Sequence, residues 1–238
     1  IALLGPVARF VNRFGGDFRW QHLPVPFEVY ADGIDLVVFE EFGSGAAALH
    51  LRDEVERDAL LGDEDYRRQF RKDYDSRFGV RVWHRDFFDA EIVACPDDSV
   101  IGKSFGQVGV DRGGLHPVDA FLDLVVEHGS KVRWRTTISN HRPDVLKKLA
   151  RDDAIQMGFS DAGAHLRNMA FYNFGLRLLR HVRDAEQAGR PFMTIEAAVH
   201  RLTGELADWY DIDAGHLRIG DRADLVVVDP AHLDERAD

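Results

Sequence analysis

The chain has 238 residues, of which 45% are hydrophobic, so it is long enough and apolar enough to bury a core. Its 30 basic and 41 acidic side chains give a formal net charge of -11, which disfavours nucleic acids and anionic lipid surfaces as partners. A single cysteine, Cys95, excludes an internal disulfide framework, and no run of about 18 apolar residues is present to span a bilayer. We therefore expect a soluble cytoplasmic protein that binds neither nucleic acid nor membrane.

The first 42 residues combine an irregular connection with one predicted strand. Residues 4–27 contain glycine, proline and aromatic residues without a clear period, which predicts an irregular segment with a helical turn near residues 7–14. Residues 34–39 form a dense apolar run between Asp32-Gly33 and Glu40-Glu41, which is typical of a buried strand. The chain begins with Ile1 and shows no secretory leader, so we expect it to be part of a longer polypeptide.

Residues 43–79 are charged and have a helical pattern. Tyr66, Phe70 and Tyr74 recur at a spacing of four, which places them on one helix face. Two interpretations remain open at this point. The segment is either a solvated helical excursion that packs on the main body, or a lid over an active site.

The rest of the chain alternates predicted strands and helices. Strands are expected at residues 91–95, 132–139 and 154–157, with amphipathic helices after Pro117 and Pro143. A long helix begins after Thr194, and an apolar strand follows within residues 217–230. This alternation is typical of a parallel sheet or barrel.

The stretch 158–165 reads Gly-Phe-Ser-Asp-Ala-Gly-Ala-His and follows the predicted strand at 154–157. A carboxylate at the carboxyl end of a parallel strand lies where α/β enzymes place their chemistry, which makes Asp161 a candidate catalytic residue. The alternative is that Ser160 and Asp161 simply cap a turn.

Three motifs in this order resemble the C-terminal third of the amidohydrolase superfamily. They are the Ser-Asp at 160–161, the sequence Thr-Ile-Glu-Ala-Ala-Val-His-Arg-Leu-Thr-Gly at 194–204, and Gly-His-Leu-Arg-Ile-Gly-Asp-Arg-Ala-Asp-Leu-Val-Val-Val-Asp at 215–229. Within the superfamily the chain is most similar to the D-aminoacylases, or N-acyl-D-amino-acid deacylases. The resemblance covers about residues 91–233.

The resemblance implies an α/β fold that is the C-terminal part of a (β/α)8 barrel. In that interpretation residues 1–42 are a barrel segment, 43–79 an inserted helical or lid segment, 80–210 the last βα units, and 211–238 part of a small β-sandwich. Residues 132–139 would be the seventh barrel strand.

The resemblance also implies the chemistry: one or two divalent metals, usually zinc, activate a water that attacks an amide carbonyl. Asp161 matches the aspartate that transfers the proton and can also touch a metal. His165 and Arg167 are candidate residues for binding the substrate, an N-acyl-D-amino acid, because a guanidinium can hold a carboxylate through two hydrogen bonds.

Most of the expected metal ligands have no counterpart in the chain. No two histidines are separated by one residue, so the His-x-His pair of the first barrel strand is absent, and His22 lies in no recognisable strand-end motif. We therefore expect the N-terminal half of the same polypeptide to supply these ligands, and the chain alone to be inactive. Two alternatives remain: a cyclic amidase similar to hydantoinase or dihydroorotase, and a non-catalytic remnant or subunit.

Overall fold

The computed structural model describes residues 4–78, 81–160, 166–169 and 171–233, and these form a mixed α/β structure. The helices in chain order are α1 Leu4–Asn12, α2 Gly43–His50, α3 Glu54–Gly62, α4 Glu64–Asp75, α5 Phe105–Asp111, α6 Pro117–His128, α7 Pro143–Ala150, α8 Phe174–Gln187, α9 Ile195–Leu202 and α10 Gly204–Tyr210. The strands are β1 Trp20–His22, β2 Phe27–Asp32, β3 Glu91–Ala94, β4 Arg133–Ser139 and β5 Ile155–Met157.

The chain divides into two compact units. The first comprises residues 1–26, 142–164 and 170–238, and the second comprises residues 27–141 and 165–169. The second unit is therefore inserted into the sequence of the first. This division does not test the segment boundaries predicted from the sequence, and those boundaries remain a prediction.

The first unit is built on a parallel pair of strands, β1 and β5. One face of β5 packs on helices α7, α8 and α9, and it forms with them a core that includes Leu149, Ile155, Met157, Leu178, Val182 and Ala198. The predicted strand at 154–157 and the predicted helix after Pro143 are confirmed.

The second unit contains an antiparallel sheet in the order β2-β4-β3. Its core is strongly aromatic, with Phe121 stacked on Phe87 at a ring distance of 4.8 Å and on Phe39 at 5.6 Å. Trp134 is fully buried, and its indole N–H donates to the carbonyl of Gly33 at 2.8 Å. This bond satisfies the one polar atom that the ring brings into the core.

Local sequence signals explain the helices of the second unit. Asp63 accepts a hydrogen bond from the backbone N–H of Tyr66 and so caps α4, whose Phe70 is fully buried. In α6, His116 caps the first turn, Pro117 opens it, and Gly129 ends the helix at a φ of 58°. The helices predicted at these positions are confirmed.

The strand predicted at 34–39 is wrong. The strand lies earlier, at β2, and the chain then turns at Gly33, which has a φ of 57°, before a 3₁₀ helix at Val37–Glu41. Val38 and Phe39 are nevertheless buried. Burial of an apolar run does not by itself distinguish a strand from a short helix.

The assignment of residues 132–139 as a barrel strand is not supported. A strand is present there, but β4 pairs antiparallel with both β2 and β3, whereas all strands of a (β/α)8 barrel run parallel. Side-chain alternation along β4 reveals a strand with one buried face, but not the direction of its neighbours. The parallel neighbour of β5 is β1, which lies in the segment predicted to be irregular.

Two predictions for the C-terminal region also need correction. The single long helix predicted after Thr194 is two helices, because Thr203 leaves the helical conformation and its hydroxyl donates to the carbonyl of Val199. Residues 217–229 form no strand in the described part of the chain, and Ile219 and Val227 are almost fully exposed. An apolar, β-branched run needs a hydrogen-bonding neighbour to become a strand.

None of the helices in the described ranges combines the length and the apolar character needed to cross a membrane.

We expect Phe121→Ala to destabilise the second unit by about 3–5 kcal/mol, because the ring is fully buried among other aromatic rings. Val55→Ala on α3 is the control, since Val55 is 78% exposed and its loss should change the free energy of unfolding by less than about 0.5 kcal/mol. Urea denaturation followed by circular dichroism measures both. Equal effects of the two substitutions would contradict the assigned core.

Candidate functional site

The carboxyl ends of β1 and β5 meet at one edge of the parallel pair. Trp20, Gln21 and His22 are in register with Ile155, Gln156 and Met157. The N–H of Gly158 donates to the carbonyl of His22 at 3.3 Å, which keeps the two chains together just beyond the strands. The chain therefore leaves the parallel pair at this edge. It continues to Ser160, which Asp161 follows in the sequence.

The two faces of the parallel pair differ in chemistry. Side chains alternate along a strand, so Trp20, His22, Ile155 and Met157 share one face and Gln21 and Gln156 share the other. Gln21 donates to the hydroxyl of Tyr210 at 3.1 Å. Gln156 is only 1% exposed, and its Nε2 has no hydrogen-bond partner in the part of the chain that the structure describes. A buried amide without a partner is an available donor on this face.

His22 is the polar residue that sequence reasoning missed at this edge. The residue is 7% exposed, and Nε2 has no hydrogen-bond partner within the described ranges. Burial lowers the pKa of His22 to about 4, so the imidazole is neutral at pH 7. A neutral ring offers one donor and one acceptor nitrogen. The signal in the sequence that could have predicted the end of a strand at His22 is the pair Pro24 and Pro26, which follow it.

Arg201 covers the edge of β5, and it belongs to the motif at 194–204. Its guanidinium donates to the carbonyls of Asp152 and Ile155, and it forms an ion pair with Glu205 at 3.3 Å. The side chain is buried, and this burial lowers its pKa. Arg201 thus satisfies a carbonyl of β5 and a carbonyl of the turn that precedes it.

The sequence-predicted site residues fall into two groups. Asp161 and His165 lie outside the residues that the structure describes. Arg167 is described, and its Nε donates to Oδ2 of Asp32 at 2.6 Å, with the Arg167 side chain 64% exposed. Its proposed role in substrate binding stays a prediction, and the structure adds Asp32 as its partner.

Asp32 lies at the end of β2 in the second unit and holds two arginines. Its Oδ1 accepts from Nη1 of Arg133 at 2.8 Å, in addition to the Arg167 bond. Burial alone would raise the pKa of the Asp32 carboxyl, but the hydrogen bonds from Arg133 and Arg167 outweigh it and lower the pKa below its usual value. The carboxylate is therefore ionised at pH 7.

A cleft of about 320 Å³ opens beside this group in the second unit. Three arginines line it, Arg52, Arg57 and Arg167, together with Asp32, Asp35 and Asp58. The cleft thus offers both signs of charge to a small polar ligand. Guanidinium groups at such a surface are suited to carboxylates.

The residues described here do not fit a zinc site. Across residues 4–78, 81–160, 166–169 and 171–233, no group of three or more histidine, cysteine, aspartate or glutamate residues could hold a metal ion. A protein zinc site needs three or four such ligands. A zinc site would therefore need ligands from outside these residues.

No family model matches the chain. It is 61% identical over 241 aligned residues to the uncharacterized proteins Rv2913c of Mycobacterium tuberculosis (strain H37Rv) and Mb2937c of Mycobacterium bovis. In each case the alignment covers the whole chain and 39% of the relative, so the chain spans about two fifths of the length of these relatives.

One solved structure resembles part of the chain. It is the N-acyl-D-glutamate deacylase from Bordetella bronchiseptica in complex with zinc and a phosphonate inhibitor, at 23% identity and a TM-score of 0.37. The match covers 58% of this chain and 27% of that protein. At this level of similarity it does not establish the fold or the function of the chain.

The buried His22 predicts a loss of stability in mild acid. The unfolded chain binds a proton at the ordinary pKa of 6.5 and the folded chain only near 4, so folding stability falls as the pH drops from 6.5 toward 4. Between pH 7 and pH 5 the loss from this residue is on the order of 2 kcal/mol.

Urea unfolding at pH 7 and pH 5 tests this prediction. His22→Gln should reduce the pH-dependent loss, while a remainder persists because burial also lowers the pKa of His181. Gln187→Ala changes an exposed side chain of the same unit that does not titrate, and it should leave the pH dependence as in the wild type. The same pH dependence in wild type and His22→Gln would contradict the assigned burial.

Proposed function

We propose that the chain is the C-terminal portion of an amidohydrolase that hydrolyses the amide bond of N-acyl-D-amino acids. The observation that carries the proposal is the parallel pairing of β1 with β5, whose carboxyl edge continues in sequence through Ser160 to Asp161. Active sites of α/β enzymes lie at such edges. A second support is the resemblance to the superfamily, which the three motifs at 160–161, 194–204 and 215–229 carry in the same order along the sequence.

In this proposal Asp161 is the proton-transfer residue. Its carboxylate takes a proton from the attacking water, and the resulting hydroxide adds to the amide carbonyl carbon. When the carbon–nitrogen bond breaks, Asp161 returns the proton to the leaving amine. One carboxylate thus acts first as a general base and then as a general acid, and it is unchanged after the cycle.

Zinc enters the proposal through the resemblance alone. The superfamily uses one or two divalent metals, and Asp161 matches an aspartate that can contact one of them. A zinc bound there would supply Lewis-acid chemistry. The remaining ligands would have to come from residues other than those described here, and we propose the N-terminal half of the same polypeptide as their source.

The substrate side of the proposal assigns His165 and Arg167. Arg167 would bind the carboxylate of the N-acyl-amino acid, and the support is its exposed guanidinium at the cleft of the second unit. His165, four residues after Asp161 in the sequence, would lie near the substrate.

Asp161→Asn in the full-length gene product should abolish turnover, because an amide cannot accept the proton of the attacking water at neutral pH. We expect the rate to fall by at least about 100-fold, the usual scale of general acid–base catalysis. Hydrolysis is followed by release of free D-amino acid. Asp153→Asn is the matched control, since its carboxylate is 94% exposed. Retained turnover in Asp161→Asn would remove Asp161 from the mechanism.

A substrate panel tests the reaction class. The wild-type full-length product should release amino acids from N-acetyl-D-amino acids, and should act poorly on hydantoin and dihydroorotate. Preference for the cyclic amides would favour the hydantoinase-like alternative. Absence of turnover on every substrate in a correctly folded, metal-supplied preparation would favour the non-catalytic alternative.

A further inference from the structure

Residue Asn168 attaches the loop at 166–169 to the edge of β2. The N–H of Tyr30 donates to the Asn168 carbonyl at 2.7 Å, and Nδ2 of Asn168 donates to the Tyr30 carbonyl at 2.8 Å. The backbone and side chain of one residue thus imitate a pair of sheet hydrogen bonds. The loop is fixed to β2 without forming a strand.

Asp32 fixes the same loop at the neighbouring residue. It accepts from Nε of Arg167 at 2.6 Å, and its second arginine, Arg133, also donates to the Arg167 carbonyl at 3.2 Å. The Asp32 side chain is only 9% exposed. Two residues in succession, Arg167 and Asn168, are therefore tied to β2 and β4.

The bond from Asp32 determines which part of the Arg167 guanidinium is available. The bond uses Nε, so the nitrogen nearest the chain is the one that Asp32 anchors. The terminal Nη atoms belong to a side chain that is 64% exposed and that lines the cleft together with Arg52 and Arg57. Those two Nη atoms are the donors that bind a carboxylate as a pair.

We propose that Asp32 is a positioning residue, which holds the loop at 166–169 on β2 and orients the Arg167 guanidinium toward the carboxylate of an N-acyl-amino acid in the cleft. The proposal rests on the proposed function for the identity of this ligand. Its physical part, the attachment of the loop by Asp32, does not depend on the reaction. The two parts therefore have separate tests.

Hydrogen exchange of the full-length gene product tests the attachment. Asp32→Asn keeps the size of the side chain but removes its charge and places amide hydrogens near the two guanidinium groups. We expect the amide of Tyr30, whose N–H donates to the Asn168 carbonyl, to exchange at least about tenfold faster, because a charge-assisted bond that holds the loop is lost. Asp65→Asn is the matched control because Asp65 is a carboxylate of the second unit that is 83% exposed and does not line the cleft.

Steady-state kinetics test the orientation of Arg167. For N-acetyl-D-leucine, Asp32→Asn should raise KM about tenfold and change kcat by less than about threefold. For N-acetyl-D-leucinamide, which lacks the carboxylate, KM should stay the same. Asp65→Asn should leave both constants within about twofold of the wild type, because Asp65 does not line the cleft.

A double-mutant cycle shows whether Asp32 acts through Arg167. If it does, Asp32→Asn combined with Arg167→Ala should raise KM no further than Arg167→Ala alone. Additive effects, or equal effects on the acid and the amide substrate, would overturn the positioning role. Asn168→Ala loosens the loop without touching the ion pairs, and it should reproduce both the faster exchange and the higher KM if Asp32→Asn fails to fold.

The outcomes separate the two proposals. If the wild type hydrolyses neither substrate, the proposed function fails and the ligand part of the inference fails with it, while exchange still decides whether Asp32 holds the loop. If the wild type is active but exchange of the Tyr30 amide is the same in Asp32→Asn, Asp65→Asn and wild type, the positioning inference is overturned and the proposed function stands.

Discussion

The parallel pairing of three residues in β1 with three in β5 is the constraint on which the candidate site depends. It brings together residues that are about 135 positions apart in the sequence, such as His22 and Met157. So short a ladder is weak by itself. It is supported by the core beneath β5 and by Arg201, which bonds the backbone carbonyl of Ile155. The edge of the β1–β5 pair, after which Asp161 comes in the sequence, therefore depends on tertiary packing.

The second unit contributes a different kind of constraint, a buried carboxylate shared by two arginines. Asp32 is costly to bury, and its hydrogen bonds with Arg133 and Arg167 compensate for that cost. The same bonds attach a short loop to β2, and that loop lies a few residues after Asp161 in the sequence. The inserted unit thus holds part of the chain that the proposed chemistry uses.

Much of the local structure was predictable because its signals are local. The cap and glycine stop of α6, the cap of α4 and the strand at β5 follow from residues within each element. The errors have one common origin. The direction of β4, the missed strand β1 and the absence of a strand at 217–229 each depend on a partner distant in sequence. Periodicity carries no information about such partners.

The candidate site shows the same division. By itself, the sequence determined the residue types: an aspartate after a short apolar strand, a nearby arginine, and three motifs in the order of a known superfamily. Only the tertiary structure decided that His22 is a buried neutral imidazole at the edge beside β5, and that Arg167 is anchored by Asp32. The physical reason is that burial and ion pairing arise between segments, so an isolated sequence window cannot specify the pKa or the partner of a side chain.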